Sequence, residues 1–311
     1  MGRSPLSSPA CQSRGYERQR GFEINLTIDR VPTVEESDRS GPPRHVFVLT
    51  LALAIVAGST AALTFFLPDV LLGPAVTNGN ARGTALVMLA AGVPVLLASG
   101  HLASRGSWRA VYFWFGSMFY LAYNAFLLLF LTPVNSLFLL YLATQALAVF
   151  SIFMLYAAID RDWLVAQMRP LPYRGMAVFV WVIVALNAFA WLSAVIPALL
   201  SGDPLSMVEG IGVATNAVYV QDLAFWLPMM ALAAWWVWNR RPTGILLTGS
   251  WLAFGIMESI GIAVDQWFGH QADPASSWAS VEVIPFMIAL AVVNAIGVFF
   301  YLRSPRAKQE A

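Results

Sequence analysis

The chain has 311 residues, 59% of them hydrophobic and only 11% charged, whereas soluble domains carry about 25% charged residues. That composition excludes an ordinary soluble domain and places the chain in the membrane class. The formal net charge of +1 says nothing about partners, and a single cysteine, Cys11, excludes an intrachain disulfide framework or a thiol relay.

Residues 1–44 are polar, rich in Ser, Pro, Gly, Arg and Glu, with no helical or strand period. They read as a disordered cytoplasmic tail. The stretch is too long and too polar for a signal-peptide n-region, and no small-residue cleavage site closes the apolar run after it. Leu6 stands where a myristoylation signal needs Ser or Thr. An over-called start codon is the alternative to a genuine tail.

Eight apolar runs follow, at about 46–67, 84–103, 109–131, 136–158, 175–198, 218–239, 243–267 and 279–302. Each is near the ~20 residues that cross a ~30 Å hydrocarbon core. The separators carry turn chemistry, among them Pro68, Asn78-Gly79, Gly106-Ser107, Pro133, Gly202-Asp203-Pro204 and Arg241-Pro242. Lipid admits only helices or closed barrels, and these runs are too long and continuous for barrel strands. The expectation is an all-α bundle of eight transmembrane helices spanning residues 45–303, surrounded by a lipid bilayer, with a short tail at 304–311. The two halves show no internal repeat.

With the N-terminus inside, 17 of the 18 basic residues fall on one side and only Arg82 on the other. The positive-inside rule then puts both termini in the cytoplasm. Asp69, Asp203, Glu209 and Asp273 mark the outer loops. Trp108, Trp163, Trp235, Trp236, Trp238, Trp267 and Trp278 cluster near span ends, as an aromatic belt does.

Four acids and no base lie within the spans: Asp222 in span six, Glu258 and Asp265 in span seven, and Glu282 in span eight. An intramembrane charge costs roughly 2.5–3.5 kcal/mol on insertion scales and faces the bundle interior as a rule. All four fall in the outer half of the membrane. Glu258 is the deepest, roughly 23 Å up span seven at the helical rise, and Asp265 falls at the outer interface. Gly255, Glu258, Ile262 and Asp265 form one stripe, and Gly255 with Ser259 makes a small-xxx-small pair suited to close helix approach. Pro228 and Pro285 each remove a helical hydrogen bond, freeing carbonyls near Ala224 and Val281. Carboxylates and freed carbonyls at one depth are what discontinuous transporter helices use to hold cations. Against this stands a structural reading. Asp222 and Glu282 lie near helix N-termini, where the dipole favours an acid.

The neutral polar set is Tyr120, Tyr123, Asn124, Asn135, Tyr141, Gln145, Asn187, Asn216 and Asn294. Interhelical hydrogen bonding is the default role for Asn124 and Gln145; a polar pathway is the sharper one. Ion- or substrate-binding candidates are therefore Asp222, Glu258, Asp265, Glu282, Asn216, Asn124 and Asn135. The three histidines lie far apart and no metal-ligand spacing occurs. No G-x-S-x-G, H-E-x-x-H or P-loop is present. The sequence implies no cofactor, no catalytic residue and no nucleic-acid partner.

Two stretches resemble a family of uncharacterised bacterial polytopic membrane proteins: "GSMFYLAYNAFLLLFLTPVNSLFLLYLATQALAVFS" (residues 116–151) and "TNAVYVQDLAFWLPMMALAAWWVWNRRPTGILL" (residues 215–247). The resemblance makes Asn124, Asn135, Tyr141, Asn216, Asp222 and Pro228 family-pattern positions and implies a multi-pass protein of a bacterial plasma membrane. It implies no activity and places neither Glu258 nor Glu282. Transport of a small solute or cation ranks first. A non-catalytic assembly or interaction partner comes second, and a membrane-embedded enzyme on lipid-linked substrates third. A water-reachable cavity joining the acids favours transport, whereas a dry contact between Glu258 and Asn or Gln side chains favours assembly.

Overall fold

A computed structural model describes residues 44–167 and 172–303. Eight helices organise it: α1 (Arg44–Phe66), α2 (Ala75–Ser104), α3 (Trp108–Phe130), α4 (Phe138–Ala158), α5 (Tyr173–Leu200), α6 (Ala217–Trp238), α7 (Pro242–Ala272) and α8 (Val283–Leu302). All eight are long and apolar enough to cross a membrane, and no strand occurs among the described residues. The chain is a multi-span, all-α membrane protein. The two tails, Arg169 and Pro170 lie outside the described residues.

Helices α3 and α7 form the axis. About three quarters of their apolar windows are buried, 72% and 78%, against 11% for α5 and 17% for α8. Helix α7 packs on α2, α3, α6 and α8, while α1 packs on α4 and α2, and α5 rests on α6. The most buried side chains concentrate on α3, from Tyr112 through Phe115 and Met118 to Leu121. Trp108 belongs to this interior rather than to the aromatic belt, whereas Trp163, Trp235 and Trp267 are exposed.

Two elements are longer than the sequence predicts. Helix α2 begins at Ala75, so Asn78 and Gly79 are helical rather than a turn, and Arg82 lies inside the helix. The Asn78 side chain still serves the preceding loop, donating to the carbonyls of Leu71 and Gly73 at 3.1 and 2.8 Å. Helix α7 runs 31 residues, about 46 Å at the helical rise. Glu258 therefore sits near its midpoint, and Asp265 lies about 10 Å inside its end. Helix α8 is shorter than expected and starts at Val283. Pro285 thus occupies the first turn, where an N–H has no helical partner to lose, so it breaks nothing.

The close helix approaches fall elsewhere than at Gly255 and Ser259. Gly255 accommodates the Asn294 side chain of α8, and Ser259 Oγ donates to the Gly255 carbonyl of its own helix at 2.7 Å. Backbone meets backbone at Gly83 instead. A Cβ there would stand 2.5 Å from Cα of Asp265 and 2.9 Å from the Val264 carbonyl oxygen. At Gly116 on α3 a Cβ would lie 2.8 Å from the Ser250 carbonyl oxygen of α7. Small residues at such crossings let helices gain dispersion contact where lipid offers no hydrophobic drive.

Candidate functional site: the polar centre around α3

Two helices carry a π-helical turn, Met88–Gly92 in α2 and Asp222–Trp226 in α6. Each is followed by one residue and then a proline, Pro94 and Pro228. The reason is steric. A proline ring crowds the carbonyl four residues back and supplies no N–H. A turn wound with one extra residue relieves that crowding, and Val93 and Leu227 close these turns on Met88 and Asp222. Such π-bulges occur often at functional sites. Both turns pack against one stretch of α3. A Cβ on Gly92 would lie 2.8 Å from the Tyr120 ring. Trp226 stands 5.7 Å from the Tyr123 ring and 5.9 Å from Phe119, centroid to centroid.

The same stretch of α3 gathers three of the four predicted acids. Asn124 Nδ2 donates to Glu258 Oε2 at 2.8 Å and to the Tyr120 carbonyl at 3.0 Å. Asn124 and Glu258 are 3% and 8% exposed, so this is an interior contact. On the adjoining residue of α3, the Tyr123 hydroxyl approaches the Asp222 carboxyl. Trp191 Nε1 of α5 donates to Asp222 Oδ2 at 2.8 Å, and the Trp191 ring rests on Tyr219 at 5.1 Å. The Tyr120 hydroxyl lies over Gly261, which is midway between Glu258 and Asp265 in sequence on α7. It is fully buried and has no hydrogen-bond partner, and the Gln221 side chain lies against the Tyr123 hydroxyl. Asp265 Oδ1 accepts from Gln266 Nε2 at 3.2 Å.

The remaining candidates separate from this centre. Glu282 is exposed at the start of α8. Asn216 caps α6, its Oδ1 accepting the N–H groups of Val218 and Tyr219 at 3.0 and 3.3 Å. Asn135 shapes the loop before α4. Its Oδ1 accepts from Leu137 N at 2.9 Å and its Nδ2 donates to the Pro133 carbonyl. Gln145 does not make the expected interhelical bond, since its Oε1 is buried without a partner.

Ala224 and Phe225 lie on the exposed side of α6. Among the described residues no three His, Cys, Asp or Glu side chains converge as a metal site requires. Two pockets lie away from Glu258. One is lined by Ala75, Asn78, Gly79, Arg82, Phe268, Gln271 and Ala272, the other by loop residues from Asp203 to Glu209. Glu258 itself makes a buried contact with Asn124. Sequence reasoning missed Trp191 and Gln221. An indole gives no polar signal in an apolar helix, and Gln221 was masked by its acidic neighbour. Comparison with known protein families, curated proteins and solved structures finds no match.

Proposed function

We propose that this membrane protein exchanges a proton at the polar centre and couples it to the passage of a small solute or cation. One observation carries the reading. Glu258, Asp222 and Asp265 gather around Tyr120, Tyr123 and Asn124 with no basic side chain among them, beside two π turns. A purely structural hydrogen bond at these depths is made more cheaply by Asn or Gln, because an interior carboxyl without a counter-charge is costly when ionised. A carboxyl retained there earns its place by gaining and losing a proton. The absence of a converging metal-type cluster among the described residues favours the proton over a metal cation as the species held. The proposed setting is a bacterial plasma membrane, and the placement of the basic loops supports cytoplasmic termini.

The test is proton flux in proteoliposomes carrying an internal pH dye under an imposed potential, with panels of amino acids, organic acids, sugars and monovalent cations added outside. Wild-type vesicles are expected to show solute-dependent flux that Glu258→Gln abolishes while the protein stays folded. Wild-type vesicles that behave as empty ones throughout would overturn it.

The second reading, a non-catalytic assembly or interaction partner, is favoured by the same Glu258–Asn124 contact, which is buried. On that reading Glu258→Gln preserves every property of the wild type, since an amide oxygen also accepts from Asn124.

A further inference from the structure

Arg82 is the one Lys or Arg that the sequence places away from the basic end of the bundle. In the structure it is half-buried on α2, held from three directions. Its Nε donates to the Phe65 carbonyl at 3.3 Å, and its guanidinium carbon stands 5.5 Å from the Phe65 ring and 6.0 Å from the Phe268 ring. No carboxylate among the described residues pairs with it. Asp265, the nearest acid along the α2–α7 contact, is turned to Gln266. A guanidinium fixed in this way has its remaining N–H groups available for a partner the protein does not supply.

The surroundings make a site of it. Arg82 lines a pocket of about 420 Å³ with Asn78, Gly79, Phe268 and Gln271, within the size range of small-ligand sites. Ala75, at the first position of α2, forms part of the wall. The C-terminal end of α7, at Ala272, lines the same pocket, so the two helix ends offset one another and Arg82 is the group that sets its charge. The floor is rigid. A Cβ on Gly79 would lie 2.5 Å from the Phe268 carbonyl oxygen, so α2 and α7 are in backbone contact beneath the pocket. Phe268 supplies an apolar side, and Gln271 an exposed amide at the rim.

We infer that this pocket binds an anionic oxygen group, carboxylate or phosphate, with Arg82 as the recognising residue. A planar fork of N–H donors matches such a group bidentately, which an ammonium cannot do. The group belongs either to a free small anion or to the headgroup of an anionic lipid, since the pocket lies at the end of the bundle. The inference does not depend on the interior acids and stands whether or not the protein transports anything.

The test uses the full chain in nanodiscs, with the ligand-induced rise in unfolding temperature read by tryptophan fluorescence against each variant's own baseline. In phosphatidylcholine discs, inorganic phosphate, glycerol 3-phosphate and acetate are titrated one at a time with chloride as the control. In a second arm, phosphatidylglycerol is added to the disc at constant salt. A rise with a free anion in phosphatidylcholine discs assigns the pocket to a solute. A rise only with phosphatidylglycerol assigns it to a lipid headgroup. In either case Arg82→Gln is expected to weaken binding at least about tenfold, and Arg82→Lys, which keeps the charge but not the fork, at least about threefold. Arg82→Lys serves as the deciding variant if Arg82→Gln fails to fold. No rise in either arm overturns the proposal, as does binding to Arg82→Lys as tight as to the wild type.

Discussion

Truncating Asn124 to alanine measures what the α3–α7 contact through Glu258 contributes to the bundle. The bond is short, 2.8 Å from Asn124 Nδ2 to Glu258 Oε2, and both side chains are interior. A buried polar group stripped of its partner costs about 1–3 kcal/mol. Hydrogen bonds between membrane helices, isolated by double-mutant cycles, average only about 0.6 kcal/mol and reach about 1.7 kcal/mol. The two figures describe different quantities. Asn124→Ala leaves Glu258 unpartnered and opens a void, so its single-mutant loss is expected at about 2–3 kcal/mol. A cycle of Asn124→Ala, Glu258→Ala and the double variant removes those side effects and is expected to give a coupling of about 0.6–1.7 kcal/mol, or about 3- to 18-fold in the unfolding constant. Glu258→Gln keeps an acceptor of the same shape and is expected within about 0.5 kcal/mol of wild type. Reversible unfolding in mixed micelles, followed by fluorescence of the 12 tryptophans, supplies the measurement. A coupling below about 0.3 kcal/mol, which is the ordinary error of additivity, would refute the claim that this bond joins α3 to α7. Loss in Glu258→Gln equal to that in Glu258→Ala would refute the view that acceptor geometry, rather than charge, makes the contact.

Three further outcomes are expected. Gly83→Val is expected to destabilise by about 1–3 kcal/mol or more, because its Cβ meets the backbone of Asp265 and Val264. Gly58→Ala, whose nearest neighbour would be Val93 Cγ1 at 4.0 Å, is expected to be neutral or to stabilise by up to about 1 kcal/mol through helix propensity. Equal thermal shifts in the two would contradict the packing account. A reporter fused after Lys308 is expected to read cytoplasm and one in the 203–214 loop to read the outside. A periplasmic C-terminus would sink the proposed orientation. Deleting residues 1–40 leaves Arg44 beside α1 and is expected to preserve insertion, checked by membrane fractionation; loss of the membrane-bound form would show the tail to be structural.

Most of the architecture was legible because hydrocarbon imposes a strong constraint. Length and apolarity mark a span with little help from neighbours, and eight helices stand where eight runs were read. The failures have physical causes. Thr77-Asn78-Gly79-Asn80-Ala81-Arg82 reads as a loop because its composition is polar. Yet the helix forms through it, since its polar groups and glycines find partners in the fold. Asn78 clamps the preceding loop, Gly79 and Gly83 let α7 approach, and Arg82 reaches the Phe65 carbonyl. None of these partners is near in sequence to the residue it serves, apart from the loop at 71–73. Pro285 failed for the opposite reason. A proline marks a kink only where the helix already exists four residues earlier, and α8 starts too late for that.

Asp222 and Pro228 lie six residues apart, and the sequence joins them into one cation-holding device. The structure separates them. The π turn absorbs the proline by adding a residue between Asp222 and Leu227, and its Ala224 and Phe225 face outward. The carboxyl meanwhile takes its hydrogen bond from Trp191, an aromatic donor on a different helix. An indole N–H donates and cannot accept, so it can reach the neutral acid but bonds more strongly to the ionised one. A backbone carbonyl, by contrast, would repel an ionised acid unless a cation lay between them. The proton-exchange proposal gives Asp222 a hydrogen-bond donor on a neighbouring helix rather than a freed carbonyl as its partner. Replacing Trp191 with Phe keeps an aromatic ring against Tyr219 and removes only the donor. If the proton-exchange account is right, that variant should fold but alter solute-linked proton flux. Unchanged flux with a stability loss alone would mean that the Trp191–Asp222 bond only fastens α5 to α6.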